Sequence, residues 1–257
     1  MKKKFMAAVI ALAIFTTALL TGCGSSSVQA NGKKKYIIAT DITFPPFEFK
    51  KDDKYIGIDI DILNAIAKEE NFDVELKPMN FKGILLALAS NQVDGAITGM
   101  TITDERKKIM DFSDTYYDSG VGMVVRESET SIKTMEDLKG KTIAAKKGTS
   151  GAIFAEKNRG KYNFNIRYFD DTPSVLQEVK NGNAAADFED YPVMAYSISE
   201  NPDQGLKLVG DKLTTEHYGF AVNKGKNKEL LDKFNEGLKK IQTSGQYDEI
   251  IAKYIKK

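Results

Sequence analysis

Four short clusters of residues in this chain have side chains that could bind a polar ligand or transfer protons. Asp41 is followed by Phe44 and a pair of prolines, and Gly99-Met100-Thr101 comes later. The segment Lys146-Lys147-Gly148-Thr149-Ser150-Gly151 and the acidic pair Glu189-Asp190 complete the set. Carboxylates accept hydrogen bonds from cations and amides, and in a cleft they also serve as general acids or bases. The clusters therefore predict either a binding site or a catalytic cleft.

The stretch ATDITFPPFEFK at residues 39–50 also has a purely structural explanation. In that explanation Asp41 ends a buried strand, the prolines stiffen a loop and the aromatic side chains fill the core. A functional explanation depends on where the four clusters lie relative to the predicted strands and helices.

Strand and helix patterns alternate along the chain from Tyr36 onward. Apolar, β-branched segments predict strands at 36–40, 73–76, 95–98, 142–145, 184–188 and 218–222. Two helices are predicted from their caps, one after Asp59 as a possible N-cap and one that begins at Thr103. Two more helices are predicted to begin at about Ala152 and at Asp190. The remaining predicted helices cover residues 83–90, 172–179 and 230–241, and the last of them ends near Gly245. Repeated units of this kind predict open α/β sheets covered by helices.

Each of the four clusters directly follows one of the predicted strands. In open α/β sheets, ligands collect at the carboxyl ends of the strands, often in a crevice between domains. The positions of the clusters therefore predict that they meet in one crevice, which favours a functional explanation of Asp41 and its neighbours.

The first 23 residues predict export and a lipid anchor. Lys2-Lys3-Lys4 precede an apolar run from Phe5 to Leu20. This run is shorter than the roughly 20 residues that a transmembrane helix needs. The run ends in Leu20-Thr21-Gly22-Cys23, which resembles the lipobox of bacterial lipoproteins. We therefore expect residues 1–22 to be a signal peptide, and residues 23–34 to be a lipidated Cys23 with a flexible linker. The alternative for Cys23, the only cysteine, is a buried structural thiol.

The charge balance and the motifs exclude several classes of partner and chemistry. Loss of Lys2-Lys3-Lys4 with the leader lowers the 37 basic side chains to 34, against 36 acidic ones, for a net charge of about −2. A nucleic-acid partner is therefore not expected. The sequence has no nucleophile elbow, Walker loop, paired histidines or cysteine ligand set. Residues 148–151 resemble a phosphate-binding loop only weakly. Neither a cofactor nor a metal site is predicted.

Three runs of residues carry a resemblance to a known family. They are residues 39–49, the segment Gly57-Ile58-Asp59-Ile60-Asp61, and residues 101–106 followed by Asp111-Phe112-Ser113. From about Lys35 to the C-terminus the chain resembles the bacterial extracellular solute-binding proteins, family 3, of polar amino acid ABC transporters, and most closely the glutamine-binding ones. The resemblance implies the α/β fold of the periplasmic-binding-protein-like type II, with two lobes that are joined by two crossover strands and close like a Venus flytrap.

The same resemblance implies boundaries and partners. Lobe 1 would be discontinuous, residues 35–116 plus 219–257, and lobe 2 would cover residues 120–214, with crossovers near 116–120 and 214–218. The implied function is capture of a free polar amino acid, L-glutamine first, at the extracytoplasmic face of the bacterial cell membrane. The partners would be an ABC permease with its ATPase, and the membrane through Cys23. The resemblance implies no enzyme activity.

Matching residues provide three subsites for a free amino acid. Arg106 matches the carboxylate-binding position, with backbone N–H groups near Thr101 beside it. Asp190 matches the ammonium-binding position, with the Gly99 carbonyl and the Thr101 hydroxyl in support. A surface arginine is the alternative role for Arg106, and a helix N-cap is the alternative for Asp190.

The third subsite would hold the ligand side chain. Phe44 and Phe81 match two aromatic walls around an aliphatic stem, whereas residues 47–49 are assigned to the scaffold. Asp41 would accept from an amide NH₂ and Lys146 would donate to its oxygen, a pairing that fits glutamine. For Lys146 the alternative is an exposed loop lysine.

Two further ligand-binding residues depart from the glutamine-binding pattern. Glu189 stands where the closest relatives carry a histidine, and Ser150 replaces an expected glycine. Glu189 adds negative charge, which could help hold the ammonium, interact with Lys146 or favour a cationic ligand. Glutamate, arginine and histidine therefore remain alternative ligands, and a cleft enzyme or a ligand sensor remains an alternative function.

Overall fold

The computed structural model describes residues 32–255, and the chain from Lys34 onward forms one compact unit. The predicted signal peptide, Cys23 and most of the predicted linker lie outside the described residues. Within the described residues, no helix combines the length and the apolar character that a membrane span requires.

Fifteen strands are described. They are β1 (Lys34–Thr40), β2 (Thr43–Phe44), β3 (Glu48–Lys51), β4 (Lys54–Ile56), β5 (Phe72–Pro78), β6 (Gly95–Ala96), β7 (Met110–Phe112), β8 (Tyr117–Ser119), β9 (Val121–Arg126), β10 (Thr142–Lys146), β11 (Asn165–Phe169), β12 (Ala186–Asp190), β13 (Leu206–Val209), β14 (Glu216–Tyr218) and β15 (Ala221–Asn223).

Eight α-helices and two short 3-10 helices are described. The α-helices are α1 (Ile58–Glu69), α2 (Phe81–Ala89), α3 (Asp104–Lys107), α4 (Ser150–Tyr162), α5 (Thr172–Lys180), α6 (Tyr191–Glu200), α7 (Lys228–Thr243) and α8 (Gln246–Tyr254). The 3-10 helices are Met135–Leu138 and Pro202–Gln204.

Two five-stranded sheets share one strand pattern. The first sheet has the order β5-β1-β6-β15-β7 and the second has the order β11-β10-β12-β9-β13. In each sheet the first three strands are parallel and the last two pairings are antiparallel. The antiparallel pair β8–β14 forms a separate two-stranded sheet, which connects the two larger sheets along the chain. The predicted α/β class is therefore confirmed.

Helices cover both faces of each sheet, because the buried strands are apolar on both sides. On one face of the first sheet, the predicted apolar stripe of the terminal helix lies in the core, with Leu230, Phe234, Leu238 and Ile241 buried in α7. α2 covers the opposite face with Ile84 and Leu88. These packed layers hold the ends of the parallel strands in fixed positions.

Two local predictions were wrong, and one helix was not predicted. Asp59 is not an N-cap, because α1 begins at Ile58 and the residue before it is Gly57. A Cβ at Gly57 would lie 2.1 Å from the Phe47 carbonyl oxygen, and its φ of 135° favours glycine. The strand predicted at 218–222 is divided between β14 and β15. A further helix, α8, follows Gly245 and brings Ile250 to the core.

Candidate functional site

The four polar clusters lie where the parallel strands of the two sheets end. Asp41 follows β1, Thr98 and Gly99 follow β6, and Lys146 and Asp190 are the last residues of β10 and β12. Together with their neighbours they surround one cavity between the sheets. Its lining residues are Asp41, Phe44, Glu48, Phe81, Thr98, Gly99, Thr101, Arg106, Lys146, Thr149, Ser150 and Asp190.

At one end of the cavity an ion pair joins the two sheets. Lys146 Nζ donates to Asp41 Oδ2 at 2.6 Å, and the side chains are only 3% and 4% exposed. Asp41 Oδ1 accepts from Ile42 N at 2.7 Å, Thr43 N at 3.0 Å and Thr43 Oγ1 at 2.8 Å. Lys146 is therefore not an exposed loop lysine, and Asp41 is not merely the end of a strand.

The ion pair decides the charge of Asp41. Burial alone would raise the pKa of Asp41, but the Lys146 ammonium and the donors at Oδ1 outweigh it, so this pKa is lowered. Asp41 is therefore an anion whose charge is matched by one cation, and this end of the cavity carries no net charge from the pair.

Arg106 reaches the cavity from α3, as its predicted role requires. Thr103 caps this helix by accepting from Arg106 N at 3.1 Å, as predicted. Arg106 Nη1 donates to Thr101 O at 2.6 Å, and Nη2 donates to Gly148 O at 2.9 Å. Burial lowers the pKa of Arg106 to about 10, although Asp190 and Glu216 act in the opposite direction. The guanidinium is thus a buried cation, not a surface arginine.

Asp190 lies on the opposite side of the cavity and is 4% exposed. It occupies the position before α6, but its side chain makes no capping hydrogen bond. Instead, Oδ1 accepts from Ser150 Oγ at 2.8 Å, and Oδ2 accepts from the Tyr218 hydroxyl. Burial and the charge of Glu189 raise the pKa of Asp190 to about 7. The carboxylate therefore gains stability from any cation that reaches it.

Glu189 is the one predicted site residue that does not line the cavity. Thr172 Oγ1 donates to Glu189 Oε2 at 3.1 Å, and Asp190 N donates to Oε1 at 3.0 Å. Burial raises the pKa of Glu189, while the Lys146 ammonium lowers it. Glu189 therefore lies behind the cavity, close enough for its charge to act on both Lys146 and Asp190.

Two phenylalanines line the cavity beside the cations. Phe44 and Phe81 are each 6% exposed. Lys146 Nζ lies 5.2 Å from the Phe44 ring centroid, and Arg106 Cζ lies 5.2 Å from the Phe81 ring centroid. Gly99, with a φ of 50°, lets its backbone approach the Phe44 ring, since a Cβ there would lie 2.8 Å from a ring atom.

Three lining residues were missed by the sequence analysis. Glu48 was assigned to the scaffold as part of an aromatic run, and Thr98 was placed inside a strand. Thr149 lay in a predicted turn, but α4 begins at Ser150 and the Thr149 hydroxyl caps it by accepting from Ala152 N at 3.2 Å. The signal available for Thr149 was a threonine three residues before the expected helix start at about Ala152.

Residues 36–257 match the family model of the bacterial extracellular solute-binding proteins, family 3. The chain belongs to this family. It is 35% identical over 254 residues to the arginine-binding extracellular protein ArtP of Bacillus subtilis (strain 168), a match that covers 98% of each chain.

Two solved structures of an ancestral arginine-binding protein are also similar, each at 41% sequence identity. The one bound to arginine has a TM-score of 0.82 and covers 87% of this chain and 99% of that chain. The one bound to glutamine has a TM-score of 0.81 and covers 88% and 99%. The expected type II periplasmic-binding-protein fold is thereby confirmed, and the family is one of binding proteins rather than enzymes.

Proposed function

We propose that this protein captures free L-glutamine at the extracytoplasmic face of the bacterial cell membrane and delivers it to an ABC permease with its ATPase. The observation that carries the proposal is the ion pair of Asp41 and Lys146 in the same cavity as Arg106 and Asp190. An amino acid presents a carboxylate, an ammonium and a side chain, and the cavity contains a separate partner for each.

Arg106 is our candidate for the partner of the ligand carboxylate. Its guanidinium has five N–H donors, of which one bonds to Thr101 O and one to Gly148 O. The remaining donors and the buried positive charge suit a carboxylate. Asp190 is our candidate for the ammonium partner, because a cation there would stabilise a carboxylate whose pKa is raised to about 7.

The side-chain end of the cavity favours a neutral, polar group. Because Lys146 already balances the charge of Asp41, an amide that enters between them accepts from Lys146 and donates to Asp41 without leaving a charge unmatched. A glutamate side chain would place a second carboxylate near Asp41, and an arginine side chain would place a second cation near Lys146. Glutamine therefore fits this ion pair better than either charged side chain.

Arginine is the second candidate ligand, and a specific observation favours it. Glu189 is buried where the charge of Lys146 acts on it. If Lys146 turned toward Glu189, Asp41 would be left free to bind a guanidinium. The three similar chains described above are each named as arginine-binding, which agrees with this alternative. Histidine and glutamate have no comparable support in the cavity.

Closure of two lobes is part of the proposal, with lobe 1 at 35–116 plus 219–257 and lobe 2 at 120–214. Lys146 with Asp41, and Arg106 with the Gly148 carbonyl, already join residues of the two proposed lobes across the cavity. A ligand that contacts both lobes would favour the closed state over an open one. We expect small-angle X-ray scattering to show a smaller radius of gyration with saturating glutamine. An equal radius in both samples would leave closure on binding unsupported, unless the ligand-free protein is already closed.

Calorimetric competition tests the ligand assignment. Glutamine should bind the wild-type chain at least about a hundredfold more tightly than glutamate near pH 7, because a like-charge contact in a closed cavity costs several kcal/mol. If arginine binds more tightly than glutamine, arginine replaces glutamine as the proposed ligand. Arg106→Ala should weaken binding of either ligand at least about a hundredfold, whereas Lys107→Ala, on the exposed side of the same helix, should not.

A further inference from the structure

Two acidic side chains, Glu48 and Asp59, are buried together beside the cavity. Glu48 is 1% exposed and Asp59 is 0% exposed. Ile58 N donates to Pro46 O, and Asp59 N donates to Phe47 O, each at 2.9 Å, so the start of α1 is fixed against the residues that precede Glu48. The two carboxyl groups therefore belong to one rigid junction between β3 and α1.

Each carboxyl group has one oxygen with donors and one without. Glu48 Oε1 accepts from Thr98 Oγ1 at 2.8 Å, and Asp59 Oδ2 accepts from Gly99 N at 2.7 Å and from Tyr116 OH at 2.9 Å. Glu48 Oε2 and Asp59 Oδ1 are buried and accept no hydrogen bond from a donor group of the described residues. A buried carboxylate oxygen without a hydrogen-bond donor destabilises the folded state, so a donor is expected for each of these two atoms.

The charged groups around the two acids offer little compensation. Asp59 and Asp41 act on Glu48 with negative charge, and the cation that acts on it, Lys146, is already paired with Asp41. On the side of the first crossover, the acids face the Tyr116 hydroxyl, whose pKa is raised well above its ordinary value by burial and by these acids. Two ionised carboxylates here would repel each other in a medium that screens poorly.

We propose that Glu48 and Asp59 share a single proton between Glu48 Oε2 and Asp59 Oδ1, and that this acid pair holds the loops of the ligand cavity in position. The Glu48 carboxyl then donates to Asp59, which keeps its negative charge and accepts from Gly99 and Tyr116. One proton satisfies both of the oxygens that lack a donor.

The electrostatics of the site agree with this geometry. Burial, followed by the charges of Asp59 and Asp41, raises the pKa of Glu48 well above its ordinary value. Burial raises the pKa of Asp59 to about 6, and hydrogen bonds from Gly99, Tyr116 and Glu48 limit the increase. Because Asp59 accepts two hydrogen bonds and Glu48 accepts one, we assign the proton to Glu48 and the negative charge to Asp59.

The acid pair contacts two parts of the cavity wall and one residue outside the wall, Tyr116. Through Thr98 Oγ1, which accepts from Asp41 N at 3.2 Å, Glu48 supports the loop of the ion pair. Asp59 holds Gly99 on the side of the proposed ammonium subsite and holds Tyr116, the residue before β8. An effect of the acid pair on affinity for glutamine rests on the proposed function. The shared proton itself does not depend on which ligand the cavity binds.

Infrared spectroscopy tests for the proton directly. Protein labelled with ¹³C at the glutamate side-chain carboxyls should show the C=O band of a protonated acid at pH 7, and Glu48→Gln should remove intensity from this band. Glu236→Gln, at an exposed position of α7, is the matched control and should leave the band unchanged. A spectrum of Glu48→Gln that keeps the full protonated-acid band would overturn the proposal.

The pH dependence of stability is an independent test. A carboxyl group whose pKa is higher in the folded than in the unfolded state loses its stabilising effect as pH rises. Relative to Glu48→Gln, the unfolding equilibrium constant of the wild type should therefore increase by up to tenfold per pH unit above about pH 5, until the folded pKa is passed. Parallel pH profiles for the two proteins would contradict a shared proton.

Two substitutions separate positioning from simple packing. Glu48→Ala removes the acceptor for Thr98 and the donor for Asp59, and we expect it to weaken glutamine binding at least about tenfold. Glu48→Gln restores one acceptor and one donor, so it should recover most of that loss. Equal losses in both variants would contradict the proposal.

If Glu48→Gln does not fold, Asp59→Asn replaces it, since the amide introduced at position 59 would donate to Glu48 and should likewise remove the protonated-acid band. If the wild type does not bind glutamine, the proposed ligand fails while the infrared and pH tests still decide the acid pair.

Discussion

Lys146 Nζ lies 2.6 Å from Asp41 Oδ2, and both side chains are almost fully buried between the two sheets. The next residue, Lys147, also forms an ion pair, with Asp170 at 2.8 Å, but its side chain is 40% exposed. Two adjacent lysines thus form one buried and one solvated ion pair. The chain therefore contains its own control for the effect of burial on an ion pair.

The buried ion pair should contribute strongly to stability when one partner alone is removed. Lys146→Met leaves Asp41 charged and without its cation, and we expect the free energy of unfolding to fall by about 3–5 kcal/mol. Lys147→Met, the control, should cost less than about 1 kcal/mol. Chemical denaturation measures both changes. Equal effects of the two substitutions would show that burial does not distinguish the two pairs.

The double variant gives the second half of this test. Asp41→Asn combined with Lys146→Met removes the charge that Lys146→Met leaves unmatched, so it should recover at least about half of the lost stability. Additive losses would mean that the two side chains stabilise the fold independently of each other.

Removal of the Lys146 cation should also change ligand selectivity. With Asp41 left as an unmatched anion, a guanidinium becomes a better partner than an amide. We expect Lys146→Met to raise the affinity for arginine relative to glutamine by at least about tenfold. Calorimetric titration of both ligands gives the ratio, and Lys147→Met should leave it unchanged. A ratio unaffected in Lys146→Met would exclude Lys146 as a determinant of selectivity.

The sequence predicted the location of the cavity because of a general property of parallel sheets. Carboxyl ends of parallel strands lie at one edge, and Asp41, Gly99, Lys146 and Asp190 each follow or end a strand of this kind. Errors of two residues in the predicted strand and helix limits, as at α4, did not change the predicted location of the cavity. That location depends on the order of strand, polar cluster and helix, which is a local pattern.

The acid pair could not be predicted in this way. Glu48 accepts a hydrogen bond from Thr98, which is 50 positions away in the sequence. Asp59 accepts hydrogen bonds from Gly99 and Tyr116, which are 40 and 57 positions away. Locally, Asp59 has the pattern of a helix N-cap, and Glu48 lies between two phenylalanines of an apparent core segment. Their contacts arise only when β3, α1 and the loop after β6 pack together, so no local pattern indicates them.

The predicted anchor at Cys23 leads to a prediction for the whole chain. Cys23 lies between the apolar leader and a serine-rich segment, in a quartet that resembles a lipobox. Two acyl chains suffice for stable membrane attachment, whereas one does not. Cys23→Ser should therefore move most of the protein from the detergent phase to the aqueous phase in phase partitioning. Ser27→Ala serves as the control and should not, and equal partitioning of Cys23→Ser and wild type would contradict the anchor.

The raised pKa of Asp190 leads to a prediction about pH. Because burial and Glu189 raise this pKa to about 7, part of the ligand-free protein carries a proton on Asp190 at neutral pH. An ammonium group prefers the ionised form, so binding should release this proton. The same shift means that the folded protein binds the proton more tightly than the unfolded chain. The stabilising contribution of Asp190 is therefore fully present below its unfolded pKa of about 3.9 and is lost as pH rises through about 7.

Calorimetry in buffers with different ionisation enthalpies measures the released proton. At pH 6 we expect nearly one proton to be released for each glutamine bound, and at pH 8 almost none. Affinity should fall by up to about tenfold for each pH unit below pH 7, because the proton then competes with the ligand ammonium for Asp190. The exposed-site variant Glu236→Gln should keep the same dependence. A binding enthalpy at pH 6 that is independent of the buffer would contradict the assignment of Asp190 as the ammonium partner, since an ionised carboxylate with an ordinary pKa would have no proton to release.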